Sequence, residues 1–268
     1  MTGPAEDTAP GPPAQARLGR VQEYYDRLAP RLFAVEDRNW HLQSRMAINL
    51  ETIDALTPRP PDGAPRVLDV GCGTGFLLER LAARGFAGVG VDLSPESVAI
   101  ARRRLEELGA ADRLTAEVGS AYAPPAGPFH LITLTDVLEH LEDPRACLRA
   151  LRAQLAPGGL LVVSTPNRRS LSGLRRAVAE RWPRLGIRLH LAPVDNWQTW
   201  TDLESHGAAA DLVAVARRGI FFRPGGRVGS ALGWALYRFG AVRRAELALS
   251  RTPVGRFGFY ICVAFRPV

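Results

Sequence analysis

Gly71, Gly73 and Gly75 alternate with Cys72 and Thr74 directly after the run Val67-Leu68-Asp69-Val70. Glycines so placed let a backbone turn sharply and approach a ligand closely. Asp69 stands just ahead of them, and Asp92 ends the next apolar run, 17 residues beyond Gly75. A carboxylate at that place can accept both hydroxyls of a ribose. The pattern is that of a nucleoside-binding crevice, for which two cofactor classes compete. A dinucleotide fingerprint requires G-x-G-x-x-G, with the pyrophosphate on the helix N-terminus, whereas here the sixth position is Phe76. Asp69 would also set a negative charge near a pyrophosphate. It suits a cationic ligand instead, such as one bearing an ammonium and a sulfonium.

The elements that must position these residues follow from periodicity. Runs at 66–70, 87–91, 113–118, 129–135 and 160–165 read as strands, and 76–84, 95–108 and 144–155 as helices. Ser94 fits a helix cap, Pro95 a first turn and Gly109 a stop. Pro157-Gly158-Gly159 ends the 144–155 helix. Strands alternating with helices imply βαβ units and a parallel sheet covered on both faces. Upstream, residues 1–16 are rich in Pro, Gly and Ala and read as a disordered tail. Residues 18–56 have helical spacing, with Tyr24, Leu28, Leu32, Leu42, Met46 and Leu50 inward and Pro30 interrupting. Residues 57–65 hold four prolines and read as a linker. Downstream, 170–181 reads as a basic helix, 182–200 as irregular and 201–206 as a short helix. Segments 212–222 and 258–266 alternate like strands, and 227–250 reads as an arginine-rich helix.

Length and composition bound the function classes. A chain of 268 residues fits one large domain, or one domain with an insertion. No run approaches 18 uninterrupted apolar residues, which excludes a spanning helix, and the first residues lack the pattern of a secretory signal. Cys72, Cys147 and Cys262 are too few and scattered for a disulfide framework or a metal site of C-x-x-C type. These features predict a cytoplasmic, reducing compartment. All 34 basic residues are arginine, which fits a GC-rich bacterial genome and excludes a lysine Schiff base. Charge is uneven: residues 1–167 carry a net −4 and residues 168–268 a net +11. The basic third could face an anionic substrate, an anionic membrane or RNA.

The segment Val67-Leu68-Asp69-Val70-Gly71-Cys72-Gly73-Thr74-Gly75 resembles motif I of the class I S-adenosylmethionine-dependent methyltransferases. Val89-Gly90-Val91-Asp92 is similar to their ribose-binding motif. Thr133-Leu134-Thr135-Asp136-Val137-Leu138-Glu139-His140-Leu141 resembles the fourth-strand motif of the ubiquinone-biosynthesis O-methyltransferase group. Leu155-Ala156-Pro157-Gly158-Gly159-Leu160 through Ser164-Thr165-Pro166-Asn167-Arg168 resembles the turn and fifth strand that follow. The likeness spans about residues 64–168. It implies a Rossmann-like α/β fold with a seven-stranded, mostly parallel sheet and one antiparallel strand. It also implies S-adenosyl-L-methionine as cofactor and S-adenosyl-L-homocysteine as product. Residues 17–63 would form a helical lid, 64–168 the cofactor-binding core, and 169–268 an acceptor-side segment completing the sheet.

Roles carry over at the matching positions. Gly71, Cys72, Gly73 and Gly75 would line the methionine portion, with Asp69 toward its ammonium. Asp92 would hold the ribose, with Leu93 beside it, and Thr135 would touch the cofactor from the end of the fourth strand. In the ubiquinone group an arginine upstream meets the cofactor carboxylate. Arg45 is the candidate here, across a longer intervening loop. Tyr24 and Tyr25 resemble the aromatic pair of the lid. Many members carry Gly-Asp-Ala after the third strand, where the Asp reaches the adenine amine; this chain has Gly119-Ser120-Ala121. Ser120 can still hydrogen-bond, without charge.

For catalysis, methyl transfer needs an aligned nucleophile and often a base near neutral pKa. His140 follows the fourth strand and is the first candidate for a base or substrate contact, against a capping or structural role. Asp136, Glu139 and His140 could hold a divalent ion only with further ligands, and their other reading is a solvated helix start, so no metal is expected. His190 precedes Asn196-Trp197-Gln198-Thr199-Trp200 and is a second candidate for the acceptor pocket. Trp197 and Trp200 read as an apolar acceptor wall or as core. Arg168, Arg169, Arg175, Arg176, Arg181, Arg184 and Arg188, with Arg217, Arg218, Arg223, Arg227, Arg238, Arg243 and Arg244, offer a pocket for a carboxylate or phosphate. Their mixture with Leu232, Trp234, Leu236, Tyr237 and Phe239 also resembles an interfacial helix in peripheral membrane contact. No RNA module is recognisable. The expected reaction is O-methylation of a small molecule in bacterial specialised metabolism. The alternatives are a lipid-quinone or glycolipid methyltransferase, an RNA methyltransferase, and a non-methylating protein that keeps the fold.

Overall fold

The computed structural model describes residues 12–187, 195–220 and 240–268. Seven strands form one sheet in the order β3-β2-β1-β4-β5-β7-β6. These are β1 (Arg66–Val70), β2 (Ala87–Asp92), β3 (Leu114–Val118), β4 (Phe129–Thr135), β5 (Leu155–Pro166), β6 (Leu212–Ile220) and β7 (Tyr260–Pro267). Strands β1 to β5 pair in parallel, while β7 runs antiparallel to both β5 and β6. The helices among the described residues are α1 (Pro12–Phe33), α2 (Trp40–Leu56), α3 (Phe76–Ala82), α4 (Pro95–Glu107), α5 (Pro144–Arg152), α6 (Leu171–Arg181), α7 (Trp200–Ala208) and α8 (Gly240–Ser250).

Side-chain alternation divides the core into two layers. Val67, Leu131, Leu160 and Val162 point to one face, where Ile53 of α2, Leu78 of α3 and Ala101 and Leu105 of α4 cover them. Leu68, Val70, Ile132, Leu161 and Val163 point to the other, against Leu148 and Leu151 of α5 and Leu203 of α7. Both faces are therefore dry, as a parallel sheet requires. The caps are local. Ser94 accepts from the Ser97 amide at 3.0 Å, and Asp143 from the Ala146 amide at 2.9 Å. Thr199 and Asp202 cap each other reciprocally at the start of α7. The three cysteines are free and buried. Among the described residues, no helix is long and apolar enough to cross a membrane.

Several expectations need correction. Helix α1 begins at Pro12, inside the stretch expected as a disordered tail. It also runs through Pro30, and the break falls at the short 3-10 turn Glu36–Arg38 instead. Pro30 stands on the solvent side while Val21 and Ala29 are buried, so packing outweighs a local penalty of roughly 3 kcal/mol. Leu32, expected inward, lies near the end of α1, where it is 36% exposed and borders a cavity. Finally, α5 stops at Arg152 and β5 already starts at Leu155. The Pro157-Gly158-Gly159 turn is absorbed into β5 as an irregularity, with Phe129 opposite Leu155 and Leu131 opposite Leu160. Of the expected 227–250 helix, only α8 lies among the described residues.

Candidate active site

The order of strands reverses between β1 and β4, and the crevice outside their carboxyl ends is where such sheets take ligands. Beyond Val70 the Gly71 and Cys72 amides both donate to the Val91 carbonyl, at 2.7 and 3.0 Å. This pins the start of the glycine loop to β2. Gly71 has a φ of +72°, and a Cβ there would lie 2.1 Å from Val137 Cγ2. Gly73 has a φ of +51°, yet a Cβ on it would meet nothing within 4 Å. Gly71 is thus glycine for packing, whereas Gly73 presents bare backbone to open space. Gly75 caps α3 in a left-handed conformation.

Asp92 reaches this loop: Oδ2 accepts the Gly73 amide and Oδ1 the Ser94 amide, each at 2.9 Å. Burial raises its pKa against those two hydrogen bonds. Asp69 is 1% exposed, and Thr133, opposite it in register on β4, donates Oγ1 to it at 2.6 Å. Burial pushes the Asp69 carboxyl up to about 7, and the charge of Asp92 acts the same way. Cys72 is a packing residue, its side chain lying against Gly90 and its thiol pushed well up by burial. The Gly119 amide donates to the Asp92 carbonyl at 2.9 Å, and Ser120 Oγ accepts from the Tyr122 amide at 3.2 Å.

One cavity of about 570 Å³ runs from this loop to the end of β4, within the range of roughly 300–1,000 Å³ usual for ligand pockets. Asp69, Gly71, Cys72, Gly73, Asp92, Leu93, Ser120, Ala121, Thr135, Tyr24, Arg45 and His140 all line it; Gly75 does not. At its far end Tyr25 Oη and His140 Nε2 share a hydrogen bond at 2.7 Å. Burial, then the charges of Glu139 and Asp136, hold the Tyr25 phenol well above its usual range, so it stays neutral. Glu139 is buried and accepts from Thr165 Oγ1 at 2.9 Å; burial, then Asp136, raises its pKa. Trp197, Phe259 and Tyr260 complete an aromatic wall.

The remaining site candidates occupy different surroundings. Arg45 lines the cavity, where it pairs with Asp136 and stacks 4.2 Å above the Tyr260 ring. A guanidinium so buried needs a countercharge. Asp136 has a φ of +57°, an uncommon backbone for a non-glycine residue. Of the two readings for the tryptophans, wall or core, Trp197 takes the first and lines the cavity, while Trp200, the first residue of α7, takes the second and packs against the core. Asp136, Glu139 and His140 all line the cavity, with Glu139 Oε1 4.0 Å from His140 Nε2, and no group of three or more side chains that could hold a metal ion occurs among the described residues. His190 and Arg188 lie outside the described residues, as do Arg223, Arg227 and Arg238 with the apolar residues 232–239. Of the remaining arginines named for an anionic substrate, none lines the cavity among the described residues; Arg176 lies behind it, paired with Asp195 at 3.1 Å. Sequence reasoning missed Tyr260, for which the alternation of β7 is the available signal, and Glu36, for which there is none.

A methyltransferase-domain family matches residues 18–215. The ubiquinone biosynthesis O-methyltransferase of Cereibacter sphaeroides is 32% identical over 171 residues, covering 64% of this chain and 69% of that protein. Its namesake in Xanthomonas axonopodis pv. citri is 40% identical over 123 residues, covering 46% of this chain and 52% of that protein. The chain thus spans about half the length of the Xanthomonas relative. The crystal structure of the cyclase SpnF superposes with a TM-score of 0.65 at 22% identity, covering 92% of this chain and 95% of that one. That identity speaks for the fold alone. A glycine loop pinned to β2, an acid at the end of that strand, and a β7 threaded between β5 and β6 are what the family match spans or adjoins: the chain belongs to the class I methyltransferase family.

Proposed function

We propose that the chain transfers a methyl group from S-adenosylmethionine to an oxygen of a small-molecule acceptor in bacterial specialised metabolism. The observation that carries this reading is the continuity of one cavity. The bare backbone of Gly73 and the carboxylates of Asp69 and Asp92 stand at one end, and His140, Tyr25 and the aromatic wall at the other. The residues fit the cofactor: open space stands where a Gly73 side chain would be, and a buried acid lies on each side of it. Asp92 would accept the ribose hydroxyls, Asp69 would face the ammonium, and Leu93, Ser120 and Ala121 would border the adenine. When bound, the cofactor supplies a methyl group on a sulfonium, which a positioned nucleophile can attack. His140 takes the acceptor's proton once the acceptor hydroxyl replaces Tyr25 Oη at Nε2. Since Arg45 is neutralised by Asp136, an uncharged aromatic acceptor suits the wall better than an anionic one.

Calorimetry with S-adenosylmethionine and S-adenosylhomocysteine tests the cofactor half. Wild type should bind both at micromolar concentration. Asp92→Ala should weaken binding by about a hundredfold, on the order of 2–3 kcal/mol for a charged hydrogen-bond pair. No binding by wild type would overturn the reading. Binding without release of S-adenosylhomocysteine across an acceptor panel would favour a non-methylating member of the fold.

One observation favours a second reading, an acceptor met at a membrane surface. Leu171, Leu174, Trp182 and Leu185 are 83%, 60%, 54% and 61% exposed, on a segment that also carries Arg175, Arg181 and Arg184. Apolar and basic side chains presented together suit an anionic interface.

A further inference from the structure

Glu36 lies in the short turn between α1 and α2, yet it is only 2% exposed. A carboxylate so buried persists only with partners, and its partners come from different elements. Arg104 of α4 forms an ion pair with it. Thr74, inside the glycine loop, donates Oγ1 to it at 2.7 Å. The same Arg104 holds Glu79 of α3 at 2.8 Å, and its guanidinium stands 5.1 Å from the ring of Phe33, the last residue of α1. One guanidinium therefore gathers the end of α1, the turn after it, and α3. Through Glu36 it also reaches the loop whose backbone faces the cavity. Glu36 and Thr74 both line that cavity.

Apolar packing could hold these helices together at lower cost in desolvation. What a carboxylate adds is a directed acceptor, and it is directed at the hydroxyl between Gly73 and Gly75. We propose that Glu36 is a positioning residue for the glycine loop, held in place by Arg104, so that the turn closing the lid and the loop receiving the cofactor are set as one unit. This inference rests on the cofactor reading of the cavity.

The test uses Thr74→Val, Thr74→Ser, Glu36→Gln and the double variant Glu36→Gln with Thr74→Val. Two quantities are read: the Kd for S-adenosylhomocysteine, and hydrogen exchange of the loop amides in the ligand-free protein. Thr74→Val should raise Kd about five- to tenfold, part of the effect of one lost hydrogen bond to a charged group because the contact acts on the ligand through the loop, and should speed loop exchange. Thr74→Ser should restore both. Glu36→Gln should weaken binding, and the double variant should be no worse than the worse single one, because both remove the same contact. In turnover, the KM for the cofactor should rise while kcat holds. A folded Thr74→Val with wild-type Kd and wild-type loop exchange would overturn the proposal, whatever Glu36→Gln does to folding. Should wild type bind no cofactor, the function proposed above fails, and the exchange rates alone decide this one.

Discussion

Asp69 shows how far one residue's chemistry depends on what surrounds it. Its carboxyl titrates near 7 in the folded chain instead of near 3.8, because burial disfavours its charge. The folded state then keeps a proton that the unfolded state has released, so stability falls as pH rises from about 4 to about 7 and levels off above. A cationic ligand beside the carboxyl reverses that preference, since opposite charge favours the ionised form. Binding of S-adenosylmethionine at about pH 6 should expel a proton, and affinity should rise toward pH 8. Asp69→Asn should abolish both effects. Calorimetry in two buffers of different ionisation enthalpy counts the proton, and a pH-independent affinity would remove Asp69 from the ammonium. Asp69, Gly73 and Asp92 were legible in the sequence because their meaning is local: a strand end, a tight loop, the next strand end. Glu36, Tyr25 and the Arg45–Asp136 pair were not legible in the same way. Each acquires its role from a partner far along the chain, Thr74, His140 and Asp136 respectively, which no local pattern announces.

Elements, rather than residues, decide which glycines serve the ligand and which serve the sheet. Gly73 sits in the loop after β1 and faces open space, while Gly88 sits in β2 where a Cβ would fall 2.0 Å from the Val67 carbonyl oxygen. Gly73→Ala should cost about 1–2 kcal/mol for its left-handed backbone but lower cofactor affinity more than about tenfold, by filling the space that the ligand needs. Gly88→Ala should cost about 3 kcal/mol or more and leave the affinity of the folded fraction unchanged. Urea unfolding and calorimetry on the two variants separate the roles; equal affinities would mean that the Gly73 cradle receives nothing. The strands β1, β2 and β4 were readable nearly residue for residue; the apolar runs of β1 and β4 are buried on both faces, and β2 is half-buried at its start. The errors at Pro30 and at Pro157-Gly158-Gly159 have a common cause. Local breakers mark where backbone hydrogen bonds are lost, but packing of α1 and pairing of β5 with β4 decide whether the element ends there.

Across the whole molecule, charge and apolar surface are distributed unevenly. Acids gather in the cavity, while the net +11 of residues 168–268 lies in the segment that carries the exposed Leu171, Leu174, Trp182 and Leu185. If that face meets a membrane, the chain should sediment with vesicles containing anionic lipid, less so as salt is added. Leu171→Asp with Leu174→Asp should then abolish sedimentation while cofactor affinity stays at the wild-type value. Sedimentation unaffected by lipid charge, salt and both substitutions would remove the membrane reading. The sheet itself has a consequence for how the chain comes off the ribosome. β6 ends at Ile220, but β7, which alone joins it to β5, begins at Tyr260. While the intervening residues are being made, the nascent half-sheet ends in the raw edge of β5, and β6 has no neighbour to bind. Such an edge is an invitation to chaperones and to aggregation. A premature stop inside β7 would accordingly cost two strands rather than one.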